Sequence, residues 1–184
     1  AGGVRKIIDD LEKAQQQLDQ ARLANEFFVE VSLSAQTEEA FEKFEKAKSD
    51  SVKKSLVQEI CTELSIHTAI EEEIFYPACT GKIEEDLVKE AYVEHDGAKA
   101  LILQLRDADP SDPFYKAKVS VLSEEIQHHV KEEEMPRDGM FAQAKKSDID
   151  LDEIGAQLAA RKAELLALAK AGNLPRPELA TTLA

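Results

Sequence analysis

The sequence predicts an all-α protein, an up-down four-helix bundle with an extra helical segment before it and a further helix after it. Three observations carry that expectation. Apolar residues recur at steps of three and four almost throughout the chain. Gly 7 and Pro 6 are too few for a loop-built or β-sandwich fold. Apolar residues at 43% and charged residues at 33% are the proportions of amphipathic helices. A chain of 184 residues is enough for one domain with a real core.

The first segment, about Val4 to Val31, spaces Val4, Ile7, Leu11, Ala14, Leu18, Ala21, Asn25 and Phe28 as a heptad seam with one polar member. Such a seam fits a long helix packing on its own domain and equally a seam for a second copy, a homodimer. Thr37 followed by Glu38 and Glu39 predicts a fresh helix start, an oxygen cap with acids in the first turn. That helix carries Phe41 and Phe44 to about Lys48. The next is expected from about Asp50 to Tyr76, stopped by Pro77. A third spans roughly Ile83 to Ala108 before Asp109-Pro110, and a fourth runs from near Pro113 to Glu134 before Pro136. Asp150 to Glu153 has capping-box spacing and opens a last helix to about Ala171, ended by Gly172. Short links between long helices make neighbours antiparallel. The expected organisation is an N-terminal extension over 1–33, a bundle over 34–171 and a flexible tail over 172–184.

Lys+Arg 23 against Asp+Glu 37 leave a net charge of −14, which argues against nucleic acid and anionic membrane as partners. No apolar run approaches the ~20 residues that cross a bilayer. Cys61 and Cys79 do not make a disulfide framework, so a reducing cytoplasm is the expected location. No Gly-rich phosphate loop, nucleophile elbow or cysteine cluster is present.

The informative residues break the apolar stripes from inside. On the second helix the stripe reads Leu56, Ile60, Leu64, His67, Glu71, Ile74, and on the fourth Tyr115, Val119, Leu122, Ile126, His129, Glu133. On the third, Leu87, Ala91, His95, Ala98, Ile102 and Leu105 share one face. A carboxylate among aliphatics is unfavourable unless paired, neutralised or bound to metal. His-x-x-x-Glu sets an imidazole and a carboxylate on one face, where both reach one cation. A single histidine in a stripe is ordinarily a hydrogen-bonded core residue. Two such pairs with His95 at a similar height point instead to a metal centre, with iron, manganese or zinc suited to nitrogen and carboxylate donors. His128 and Glu132 lie about 100° off the stripe and read as solvated or supporting residues. Glu72, Glu73 and Glu134 read as a charged outer face, Cys61 as core filler, Cys79 as the more reactive thiol and Tyr92 as core packing.

The ordered motifs His67-x-x-x-Glu71-Glu72-Glu73-Ile74-Phe75-Tyr76-Pro77, a lone His95, and His128-His129-Val130-Lys131-Glu132-Glu133 resemble the hemerythrin-like HHE cation-binding domains over about Ser34 to Ala171. The resemblance implies a four-helix bundle holding two non-haem iron ions, with His67, Glu71, His95, His129 and Glu133 at five of six ligand places and Glu71 and Glu133 as bridges. The sixth place, a first-helix histidine in the family, holds Ser34 here, leaving Glu30, Glu38 or water as substitutes. Met135 to Met140 also departs from the family's shorter ending. The implied function is binding or sensing oxygen, nitric oxide or peroxide, or handling iron. The alternatives are a di-iron peroxidase or oxidase at the same metals, and a metal-free helical module acting through the N-terminal seam.

Overall fold

The computed structural model describes residues 35–182, with Lys13 ahead of them. The N-terminal seam, Ser34 and Glu30 lie outside the described residues. Among the described residues the fold is all helical: α1 (Ala35–Lys46), α2 (Asp50–Ile70), a π-helical turn (Glu71–Phe75), α3 (Tyr76–Cys79), α4 (Glu85–Arg106), α5 (Tyr115–Glu133), α6 (Met140–Lys146) and α7 (Leu151–Lys170).

Two apolar clusters organise the helices. One joins Phe41 and Phe44 of α1 to Ile60 and Leu64 of α2, Ile102 and Leu105 of α4, and Tyr115, Leu122 and Ile126 of α5. The other joins Ile66 and Ile70 of α2 to Phe75, Tyr76, Val88 and Ala91, with Met140 and Phe141 of α6 and Leu158 and Leu165 of α7. The late part of α2 and the early part of α4 therefore share a cluster, while the early part of α2, the late part of α4 and most of α5 share the other. That exchange fixes α4 antiparallel to both α2 and α5. His67, Glu71, His95, His129 and Glu133 all fall between the two clusters in their stripes, which places the site between two dry layers.

Local chemistry explains most boundaries. Asp150 caps α7, its Oδ1 accepting the Glu153 N–H at 3.1 Å, as the capping-box spacing predicts. Asp109 Oδ1 accepts from Ser111 N at 2.9 Å and ties the turn after α4. Three details differ from expectation. Thr37 does not cap a helix; it lies inside α1, buried on the face that carries Phe41 and Phe44. Pro77 does not stop the second helix. The π-helical turn resets the hydrogen bonding, with Tyr76 N–H reaching back to Glu71 O, and Pro77 then occupies the first turn of α3, where its missing N–H is harmless. The third is α6, unforeseen between Pro136 and Asp150. Gly139 precedes it where a Cβ would meet Glu133 O and Met135 N at 2.6 Å, so only glycine lets the chain fold back against the end of α5.

The segment after α7, expected as a tail, runs back along α4. Asp96 accepts from Ala180 N and Thr181 N at 2.7 Å each, and Lys99 Nζ donates to Glu178 O at 2.9 Å. No described helix is long and apolar enough to cross a membrane.

Candidate metal centre

His67, Glu71, His95 and His129 are all buried, and a donor atom from each lies within 4.8 Å of the others. Their helices explain the convergence: α2 supplies His67 and runs into the π-helical turn that carries Glu71, α4 supplies His95, and α5 supplies His129. Glu133, also buried, stands beside them with its Oε2 3.5 Å from His129 Nε2. The five residues read from the stripes are thus brought together. Glu38 is not, because its side chain is exposed on α1 and it lines a surface depression with Gln127 and Lys131.

The nitrogen atoms show what the cluster lacks. His95 Nδ1 is 3.0 Å from Glu72 Oε1, and His129 Nδ1 is 2.8 Å from Glu94 Oε2. A carboxylate accepts, so each Nδ1 donates outward and each Nε2 is the ring atom turned toward the cluster. Those two Nε2 atoms are 3.0 Å apart, and Glu71 Oε2 lies 3.2 Å from His95 Nε2 and 3.3 Å from His67 Nε2. So many ligand atoms crowded together need something positive among them, protons or a metal cation. Two nitrogen ligands at ~2.0–2.1 Å from one ion and at right angles stand about 2.9 Å apart, close to the separation seen. Among the described residues, His67 Nε2 and Glu71 Oε1 are buried with no hydrogen-bond partner. The donor set fits a cation.

Titration follows the same geometry. Burial lowers the His67 pKa to about 4, keeping it a neutral donor. Burial also opposes charge on His95 and His129. Hydrogen bonds donated to Glu71 and Glu72 raise His95 nonetheless, and Glu133, with hydrogen bonds donated to Glu71 and Glu94, raises His129 well above its ordinary value, so without a cation the inward nitrogens hold protons in its place. Burial acts to raise Glu71, but His67 and hydrogen bonds from His129 and His95 outweigh it and hold Glu71 below the usual carboxylate range. Glu133 goes the other way, pushed up to about 8 by burial and by the Glu71 charge.

Sequence reasoning missed four participants. Tyr76 is buried, its hydroxyl 3.2 Å from Glu71 Oε2, 3.1 Å from Glu133 Oε1 and 3.0 Å from His95 Nε2. Glu72 is no outer-face residue: it holds His95 and accepts from the buried Lys99 Nζ at 2.7 Å. Glu94 does the same for His129. Lys99 stands one turn after His95, and a lysine beside an apolar stripe was the readable signal. Glu73 does face outward, pairing with Arg161 Nε at 2.7 Å. His128 is exposed, as expected. Tyr92 packs edge-on against Tyr76 with ring centroids 5.0 Å apart. Cys79 is fully buried, and burial pushes its thiol, like that of Cys61, up to about 12, so it is not the reactive thiol expected.

A helical fold with buried, carboxylate-oriented histidines around unpartnered donor atoms defines a metal-binding protein of the hemerythrin type. The hemerythrin HHE cation-binding domain pattern matches residues 2–136, and the chain belongs to that family. The match takes in residues 2–33, read from sequence as an extension, and ends before α6 and α7. A crystal structure of a hemerythrin HHE cation-binding-domain-containing protein from Mycobacterium kansasii is similar in fold, with a TM-score of 0.59 and 22% identity over 83% of this chain and 92% of that one. A DNA nickase of Nostoc sp. (strain PCC 7120) is 33% identical over 76 residues, 41% of this chain. The matched stretch is 22% of that relative's length.

Proposed function

We infer that this chain is a non-haem di-iron protein that binds or senses a small oxidant or diatomic gas, oxygen, nitric oxide or peroxide, inside its helical bundle. The observation that carries this reading is the pair of inward Nε2 atoms of His95 and His129, their rings held by Glu72 and Glu94, beside the unpartnered His67 Nε2 and Glu71 Oε1. Iron is proposed because nitrogen and carboxylate donors without thiolate suit it, with manganese and zinc as the other metals of that donor class. Two ions are proposed because two carboxylates, Glu71 and Glu133, are buried together, and a carboxylate can lie across a metal pair.

Bound iron would supply a redox-active centre with room for a small exogenous ligand. The chain's own part is to position and to keep dry. Glu72 and Glu94 fix the ring orientation of His95 and His129, Tyr76 offers a hydroxyl proton to the carboxylate oxygens, and the two apolar clusters limit water access. Protein purified from iron-supplied cells is expected to hold about two iron ions per chain and to absorb in the near-ultraviolet. Glu71→Ala and Glu133→Ala should lose both metal and absorption; unchanged iron content in either refutes the assignment.

Tyr76 gives a second reading some footing. The buried Tyr76 hydroxyl, held protonated by burial and by Glu133 and Glu71, is a fixed hydrogen-bond donor beside the metal ligands, which a peroxidase would use to orient its substrate. Sustained hydrogen peroxide turnover that falls in Tyr76→Phe would favour the enzyme; a stoichiometric reaction that then stops favours sensing.

A further inference from the structure

We propose that Glu94, His128 and Glu132 form a second, outer site for a divalent transition-metal ion, at the mouth of a cleft through which cations reach the buried centre. One donor atom from each of the three lies within 4.8 Å of the others. His128 and Glu132 share a face of α5 one turn apart, with His128 Nε2 3.2 Å from Glu132 Oε1. Glu94 comes across from α4, its Oε1 3.8 Å from the same His128 nitrogen. One imidazole and two carboxylates from two helices make a nitrogen–oxygen donor set of the kind that takes manganese, iron(II), cobalt or zinc.

Two further observations point inward from this cluster. Glu94 divides its oxygens: Oε1 faces His128, while Oε2 accepts from His129 Nδ1 at 2.8 Å, so one carboxylate joins the outer group to a ligand of the buried centre. A narrow cleft then runs between Glu94 and Glu132 outside and His129 and Glu133 inside, with Glu90 on its wall. Its free volume of about 10 Å³ has room for about one water, hence for an ion shedding its hydration shell rather than for an organic molecule. Among the described residues, four glutamates line it and neither lysine nor arginine does. An anionic, cation-free cleft focuses the field of a chain whose net charge is −14 and draws cations toward it. The outer site takes the ion first, and Glu94 stands where it can release it inward.

The entry role rests on the buried centre holding metal; the outer site does not. Full-length protein carrying its purified metal is dialysed against cobalt(II) chloride, and bound cobalt is counted by elemental analysis. Wild type is expected to hold one cobalt more than His128→Ala or Glu132→Gln, with the tightly held metal the same in all three. Equal cobalt uptake overturns the outer site. Glu94 is left in place because it orients His129. Metal-stripped protein is then reloaded with cobalt, and its visible absorption followed. The variants should load more slowly by about tenfold or more and reach the same end point. Equal loading rates overturn the entry role. If the buried centre takes no metal, the cobalt difference between wild type and His128→Ala still decides the outer site, so the two readings fail separately.

Discussion

Tyr76→Phe separates what the buried hydroxyl does from what the metal does. The ring is fully buried and keeps its packing against Tyr92 and His95 in the variant, so no cavity forms. What disappears is one donor aimed at Glu71 and Glu133, whose side chains have no access to water in its place. In metal-free protein the loss of a hydrogen bond to a charged, buried acceptor should cost about 1.5–3 kcal/mol. For a chain of this size that lowers Tm by about 3–12 °C. In metal-loaded protein the same oxygens face a cation, and the loss should shrink to about 0.5–1.5 kcal/mol. The difference, about 1–1.5 kcal/mol, has a consequence by thermodynamic linkage: the Phe variant binds metal about five- to twelvefold more tightly than wild type. The assay is differential scanning calorimetry of stripped and loaded protein, followed by a chelator competition. Equal Tm losses in both forms, or metal binding weakened tenfold, would show that the hydroxyl acts with the cation rather than in its stead, and the reasoning fails.

Glu72→Gln should keep the fold and weaken metal retention by about 10–100-fold, because the amide no longer fixes the His95 tautomer; chelator competition at fixed pH checks it, and unchanged retention refutes it. Gly139→Ala should destabilise by about 1–3 kcal/mol, read as a lower urea midpoint, since the new Cβ must push away the Glu133 and Met135 backbone. Cys61 and Cys79, with thiols raised to about 12, should resist iodoacetamide in the folded protein at pH 8, where thiolate is on the order of one part in ten thousand. Raising the pH through 9, the ordinary thiol range, should leave that resistance intact, and unfolding in urea should abolish it.

The ligands were legible because they violate a rule. An imidazole or carboxylate at a stripe position stands out against Leu64 or Ile126, and periodicity alone set His67, Glu71, His95, His129 and Glu133 on facing surfaces. Helix bodies were legible for the same reason, and Asp150 shows that a capping side chain is readable where its partner is three residues away. The supporting carboxylates were not. Glu72 and Glu94 adjoin Glu71 and His95 in sequence, about 100° around the helix, where a glutamate is ordinarily solvated. Only the neighbouring helix's position makes them reach His95 and His129. Thr37 misled because an oxygen side chain followed by acids also occurs inside a helix, and Ala35 and Gln36 before it are already helical. α6 was hidden because a seven-residue helix between two polar loops has too few turns to establish a period.

Tyr76 was invisible for a deeper reason, which also explains the local backbone. In a regular α-helix a residue five positions on from Glu71 is rotated about 140° away from it and could not donate to its carboxylate. The expected stripe accordingly passed through Ile74. The π-helical turn Glu71–Phe75 replaces that register with an i to i+5 hydrogen bond, so that Tyr76 N–H meets Glu71 O and Tyr76 Oη meets Glu71 Oε2. Ile74 turns half-outward while Phe75 and Tyr76 turn in. The wider turn forgoes the better hydrogen bonds of an α-helix at the one place on α2 where the chain must supply, within a few residues, a carboxylate to the centre and a hydroxyl to that carboxylate. A straight helix could satisfy either Glu71 or the apolar contacts of Phe75 and Phe141, whose rings lie 5.5 Å apart, but not both with Tyr76 between the two glutamates. The irregularity belongs to the site, and the fold on either side of it is regular because nothing there needs to be otherwise.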